Sequence, residues 1–131
     1  DPTTDAFSPA APTTPFVRVQ SAAVLLGNGA VLMTGGTEGE NDAGISHSQV
    51  YDPASGVSTG TPGRMTIVQA EHTATRLLDN RVLLVGGNGE RGVAQMYDPA
   101  TDEFSVASTD PALKRFQHAA ALGHRLDVAQ R

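Results

Sequence analysis

Four features of this sequence carry residue types that could do chemistry. His72 and His118 begin matching segments, HTATRL and HAAAL, and two imidazoles brought together would bind zinc or copper. Gly35-Gly36 and Gly86-Gly87 each end an aliphatic run, AVLMTGG and RVLLVGG. Glycines at such an exit can present backbone N–H groups to a phosphate. Tyr51 and Tyr97, the only tyrosines, are candidate catalytic phenols. TEGENDAG, from Thr37 to Gly44, gathers Glu38, Glu40 and Asp42, enough carboxylate to ligate a hard cation.

Each feature has a plainer reading. A phosphate loop needs a following helix and a lysine or further glycines at set spacing. The acidic TEGENDAG and the short NGERG (Asn88 to Gly92) supply neither. Glycine also permits positive φ and close backbone approach at a strand exit. The tyrosines and histidines recur in phase, and a catalytic residue seldom needs a copy in each repeat. A buried tyrosine can instead place its ring in a core and its hydroxyl on backbone. Ser21 fills the position equivalent to His72 and His118, which favours a hydrogen-bonding role over a metal site. His47 and His124 have no partner identifiable from sequence. There is no cysteine, so disulfides, thiolate metal sites and cysteine nucleophiles are excluded. G-x-S-x-G, H-E-x-x-H and EF-hand patterns are absent. The sequence identifies no catalytic set and calls for no metal or cofactor.

The elements that hold these residues are repeats. Gly35 and Gly86 lie 51 residues apart, and SAAVLLGNGAVLMTGG from Ser21 aligns with HTATRLLDNRVLLVGG from His72 at that offset. YDPASG at Tyr51 and YDPATD at Tyr97 are 46 apart, so the loop after the second glycine pair is five residues shorter. DPTTDAF at Asp1 matches DPATDEF at Asp98, so the chain opens inside a repeat, and after HAAAL it reaches no further Gly-Gly. Each repeat divides into four short strands, here termed a to d. Strand a covers 22–26 and 72–77, strand b 30–34 and 81–85, strand c 46–51 and 93–97. Strand d covers 103–107 and, poorly marked, about 56–59. Strand b is continuously aliphatic, as expected of a strand buried on both faces. Asn28-Gly29 and the weaker Asp79-Asn80 predict two-residue hairpins between a and b. Asp-Pro-Ala-Ser/Thr predicts a tight turn between c and d. No segment sustains a helical period, although the tail from Leu122 could curl into a helix.

Four-stranded units with a period near 50 residues fit the blades of a β-propeller. The pattern resembles the kelch family: an apolar strand ending in Gly-Gly, a variable loop, a strand ending in tyrosine, and an aromatic about seven residues later. RVLLVGG followed by MYDPATDEF meets all of it, with Tyr97 and Phe104. The first repeat meets it with AVLMTGG and Tyr51 but has Ser58 where the aromatic belongs, which predicts weaker packing between blades there. The resemblance implies that Gly35, Gly36, Tyr51, Gly86, Gly87, Tyr97 and Phe104 are structural, each glycine pair packing tightly within its blade. The expected fold is all-β, a kelch-type β-propeller fragment of about two complete four-stranded blades with partial blades at both ends. Its units are 1–20, the end of a preceding blade; 21–59 and 60–108, two full repeats; and 109–131, the start of a third.

Strand alternation puts the a–b and c–d turns on one edge and the b–c and d–a loops on the other. The second edge carries the length and the charge, so recognition is expected there. Its leading residues are Glu38, Glu40, Asp42, Asn88, Glu90 and Arg91, followed by Arg64, Lys114 and Arg115. The resemblance implies a non-catalytic scaffold that binds a protein or a carbohydrate. Galactose-oxidase-like copper enzymes are the alternative within the family, although their tyrosine–cysteine cofactor needs a cysteine that is missing here. Two blades do not close a ring, so further blades of the same protein or a homo-oligomer, as in two-bladed lectins, are expected partners. A net charge of −5 with nine scattered cations argues against nucleic acid, and no run of about 18 apolar residues predicts a membrane span. Richness in Gly, Ala, Thr and Pro suggests a secreted, cell-surface or periplasmic bacterial protein.

Overall fold

The computed structural model describes residues 1–8, 18–39, 44–87 and 93–109, and among these the regular elements are strands, with no helix. The strands are β1 (Ala22–Leu25), β2 (Val31–Thr34), β3 (His47–Asp52), β4 (Val57–Arg64), β5 (Thr73–Arg76), β6 (Val82–Val85), β7 (Ala94–Asp98) and β8 (Glu103–Ser108). They form two antiparallel four-stranded sheets, β1-β2-β3-β4 and β5-β6-β7-β8. The two sheets are the two complete repeats, each with strands a to d in chain order. They lie side by side, joined at β1 with β5 and β4 with β8.

Local chemistry explains the repetition. β2 and β6 are branched or aliphatic nearly throughout, which suits a central strand flanked on both sides. The a–b turns are three-residue loops, 27–29 and 78–80, a correction to the expected two-residue hairpins. Leu26 N donates to Ala30 O at 2.8 Å and Gly29 N to Leu26 O at 3.1 Å; the second copy repeats this at 2.7 and 3.1 Å. The last loop residue is left-handed in both, Gly29 at φ 86° and Asn80 at φ 70°. Asn tolerates that region better than most residues, which is why DN can stand in for NG.

Among the described residues an aspartate caps the c–d type of turn in the same way at three places. The side chains of Asp1, Asp52 and Asp98 accept from the backbone N–H two residues on, at 2.8, 2.9 and 2.9 Å. Four residues after each aspartate the backbone is left-handed, at Asp5, Gly56 and Asp102. Residues 1–5 therefore share the aspartate cap and the left-handed fifth residue of the turns that join β3 to β4 and β7 to β8, although in residues 1–5 the backbone bond runs from Thr4 N to Asp1 O.

Strand β4 is longer than the expected strand d of about 56–59. It runs to Arg64, with His47 paired to Arg64 across a register shift between His47 and Gln49. The d–a connection therefore starts at Met65, and Arg64 sits on a strand end, not in the loop.

The main core lies between the sheets: Leu26, Leu32 and Met65 of the first meet Val82, Leu84 and Tyr97 of the second. The two sheets differ in how fully they are covered. β6 is buried along its whole length, whereas Val31 and Met33 of β2 are half-buried. Val31 pairs with Tyr51 and Tyr51 with Ser58, so these three share one face. The equivalent face of the second sheet, Val82, Tyr97 and Phe104, packs on the first sheet. The missing aromatic at Ser58 therefore lies on the face turned away from the second sheet and does not weaken the contact between the two.

Candidate functional site

The glycine pairs prove to be places where backbone meets backbone. A Cβ on Gly35 would lie 2.2 Å from Gln69 O and 2.7 Å from the His72 ring, both in the segment entering the second blade. On Gly36 it would lie 2.4 Å from Val19 O, in the segment entering its own blade. All four glycines have positive φ, from 59° to 112°. The pair thus packs within the blade at its second residue, and in the first blade its leading residue packs against the next blade, a partial correction of the expected contact. Gly36 N donates to Gln69 O at 2.9 Å, and Glu71 N donates to Gln20 O at 2.9 Å. His72 is buried and its Nε2 is hydrogen-bonded to Thr34 Oγ1 of the first blade at 2.8 Å.

These contacts bring the b–c and d–a segments to one edge. Thr37 bridges Val19 through paired backbone bonds of 3.0 and 2.9 Å, and also bridges Gly44. Gly44 packs so closely on Val68 that a Cβ would meet its side chain. The incoming segments of both blades and the b–c loop of the first therefore form one continuous margin.

Two glutamines, Gln69 and Gln95, organise this margin in the second blade. Gln69 donates through Nε2 to Gly86 O and Val93 O. Gln95, which is fully buried, donates to Gln69 Oε1 and to Ile67 O. Its Oε1 accepts from Thr66 N at 2.9 Å and Ile67 N at 3.1 Å. Gln49 is the counterpart of Gln95 in the first blade, at the 46-residue offset. In the first blade Arg18 replaces Gln69 at the 51-residue offset, and its Nη1 donates to the matching carbonyls, Gly35 O at 2.9 Å and His47 O at 3.2 Å. Arg64 Nη1 donates to Thr61 O at 2.9 Å. Burial pushes the His47 imidazole below its ordinary pKa, Arg18 and Arg64 add to that, and Glu38 opposes it. His47 is thus held toward its neutral form among two guanidinium groups.

Of the residues expected to bind, Glu38 is exposed on this edge and Arg64 is exposed at the end of β4. Glu40, Asp42, Asn88, Glu90, Arg91, Lys114, Arg115, His118 and His124, with the tail from Leu122, lie outside the described residues. Among the described residues no three His, Asp or Glu side chains come together in a way that could hold a metal. Arg18, Gln49, Gln69 and Gln95 were missed by sequence reasoning. The signal was present, because Gln49 and Gln95 share a phase, as do Arg18 and Gln69.

The tyrosine hydroxyl also differs from expectation. Tyr97 OH donates to a carboxylate, Asp102 Oδ1, at 2.8 Å instead of to backbone, and Asp102 Oδ2 accepts from Gly63 N of the first blade at 2.9 Å. Burial first, then Asp102, raises the Tyr97 phenol well above its ordinary pKa. The Tyr97 and Phe104 rings pack at 4.7 Å between centroids. At the opposite edge the a–b and c–d turns enclose an open cleft of about 310 Å³, lined by Leu26, Asn28, Asp79, Asn80, Asp98 and Pro99 among others.

No family model matches the chain, and comparison with curated proteins finds no match. Solved structures do match in shape. A fungal alcohol oxidase of the AA5 family, in complex with copper, is similar with a TM-score of 0.61 at 17% identity, over 72% of this chain and 20% of its own. YjhT is similar with a TM-score of 0.58 at 12% identity, over 72% of this chain and 39% of its own. The chain thus spans a fifth of the first and under two fifths of the second. At such identities the likeness is one of fold. With two adjacent four-stranded antiparallel sheets and these neighbours, the chain has an all-β, β-propeller-like fold.

Proposed function

We propose that the chain is part of a kelch-type propeller that serves as a non-catalytic binding scaffold, meeting a protein or carbohydrate at the b–c and d–a edge. One observation carries this reading: Arg18, Glu38, His47 and Arg64 stand on a margin tied together by the Val19–Thr37 bridge, the Gly36–Gln69 bond and the Gly44–Val68 contact. A rigid frame that presents charge on connecting segments is what recognition uses. The recurrence of Gly-Gly, tyrosine and, in the second repeat, Phe104 supports the kelch assignment. The test is where a bound partner touches the chain. Replacing Glu38 and Arg64 by Gln is expected to weaken binding about tenfold or more, whereas Asn28→Ala at the opposite edge leaves it unchanged. Loss of binding only on the Asn28 edge would overturn the assignment of the face.

A second reading is favoured by the likeness to the copper-containing oxidase: the chain would be a piece of a larger metalloenzyme whose site lies in other blades. Stoichiometric copper in the chain joined to its further blades, and none in the chain alone, would support that reading against the first. For a ring assembled from copies, light scattering distinguishes an oligomer from a monomer. A bacterial surface or secreted setting is part of the proposal and rests on composition alone.

A further inference from the structure

The Asn28-Gly29 pair that turns the first hairpin is also a pair of reactants. Asn28 and Gly29 are both exposed in the loop between β1 and β2. Ala30 N donates to Asn28 Oδ1 at 3.0 Å, so the side chain folds forward over the Gly29 peptide. That fold brings the amide carbon Cγ toward Gly29 N, a backbone nitrogen that can attack it. The Ala30 N–H also points at the oxygen that gains negative charge when Cγ becomes tetrahedral. Gly29 has φ 86°, and apart from its chain neighbours no atom lies within 4 Å of the place a Cβ would take, so nothing crowds the attacking nitrogen.

The second blade holds a comparison at the same place. Asp79 and Asn80 replace Asn28 and Gly29 at the 51-residue offset. Asp79 Oδ1 accepts from Arg81 N at 3.1 Å, the bond that Asn28 Oδ1 accepts from Ala30 N. The turn is therefore built with an acid in one blade and an amide in the other. Asn80 is followed by Arg81 instead of glycine, and its side chain lies against Gly27 of the first blade.

We propose that Asn28 is a modification site, converted in the folded chain from an amide to an acid through a cyclic imide. Gly29 N forms a bond to Asn28 Cγ, the Cγ–Nδ2 bond breaks, and ammonia leaves with the Gly29 amide proton. In that step the Gly29 N–H gives up its 3.1 Å bond to Leu26 O. Water then opens the imide ring. Cleavage of the bond from nitrogen to Cγ leaves aspartate. Cleavage of the bond from nitrogen to the backbone carbonyl carbon leaves isoaspartate, which routes the chain through Cβ and Cγ and lengthens the loop that Leu26 N closes on Ala30 O. Either product adds a carboxylate to the cleft that Asn28 lines with Asp79 and Asp98. This edge lies opposite the binding edge, so the modification and the proposed function fail or hold separately.

The purified full chain is incubated at mildly alkaline pH, and peptide mapping by mass spectrometry follows the amide-to-acid mass change at Asn28 and Asn80. Asn28 in the folded chain is expected to convert at a rate within about tenfold of that in the urea-unfolded chain, while Asn80 stays an amide. Gly29→Asn installs the residue that the second blade holds there, and its Cβ should slow conversion at Asn28 about tenfold while strand amides stay unchanged. Asn28→Asp installs the acid of the second blade, and the Ala30 amide should keep its protection from hydrogen exchange. The proposal is overturned if Asn28 converts only in urea, if Asn80 converts as fast as Asn28, or if Gly29→Asn leaves the rate unchanged. Loss of Ala30 protection in Asn28→Asp would overturn the claim that the turn accepts the acid product.

Discussion

The second blade closes its side-chain network and the first does not. Tyr97 has Phe104 beside it and Asp102 for its hydroxyl, and Asp102 ties the turn to Gly63 of the first blade. In the first blade Tyr51 faces Ser58, and Gly56 occupies the place of Asp102. Gln95 grips Gln69 and the segment before it, whereas Gln49 stands opposite the place of an arginine. Yet both sheets have the same strand order and nearly the same pairing. The backbone ladder, the glycine pair and the Asp-Pro turn therefore define a blade, and the side-chain network determines how tightly one blade seats on its neighbour.

That division can be broken deliberately. The largest effect is expected in the core between the blades. Leu84→Ala, at a position with 0% exposure, should cost about 3 kcal/mol, while the equivalent Met33→Ala on the half-buried face should cost about 1 kcal/mol. Urea denaturation of both variants checks the ratio, and equal losses would mean that the two faces are equally packed. Next comes Gly35→Ala, where positive φ is joined to a clash with Gln69 O. It should cost about 2 to 3 kcal/mol, against about 1 kcal/mol for Gly29→Ala, which has positive φ but open space.

The glutamines should differ in sign. Gln95→Leu strands Thr66 N and Ile67 N and should cost about 2 kcal/mol. Gln49→Leu removes two unpartnered polar atoms and should be neutral or mildly stabilising, because the group it deletes satisfies nothing inside the fold. Thermal unfolding of the two single variants decides this, and equal destabilisation would sink the claim that the first blade's network is open.

A smaller effect concerns alkaline pH. Tyr97 has a raised folded pKa, so its neutral phenol is favoured by the fold. Its contribution to stability is complete below about pH 10 and is lost as pH rises above that toward the folded value. Asp102→Asn removes an anionic neighbour that the first blade never had. It should lower the pH at which Tyr97 ionises, read from tyrosinate absorbance, and soften the alkaline loss of stability.

Much of this was legible in the sequence because it repeats. The 51-residue offset of Gly35 and Gly86 and the 46-residue offset of Tyr51 and Tyr97 located all eight strands, since strand exits and turns need particular backbone conformations that few residues supply. What was not legible depended on tertiary pairing. β4 extends through Gly60, Pro62 and Gly63, residues of low strand propensity, because pairing with β3 and the Asp102 contact to Gly63 N hold it extended. The three-residue a–b loops were hidden because Leu78 and Gly27 look like strand and turn residues, respectively. Arg18 looked like a scattered surface cation, and only the carbonyls of Gly35 and His47 give it a place. The acidic b–c stretch is the leading binding feature by sequence, but of its three carboxylates only Glu38 lies within the described residues.

The central claim is that the two sheets are successive blades locked together by backbone bonds across their seam. Amide hydrogen exchange measures this directly at Gly36 N–H, which donates to Gln69 O, and at Glu71 N–H, which donates to Gln20 O. Both amides should exchange as slowly as the β6 ladder amides and lose protection together with them in mild denaturant, as one cooperative unit. Exchange of either amide at the rate of an unstructured chain, while β6 stays protected, would contradict it.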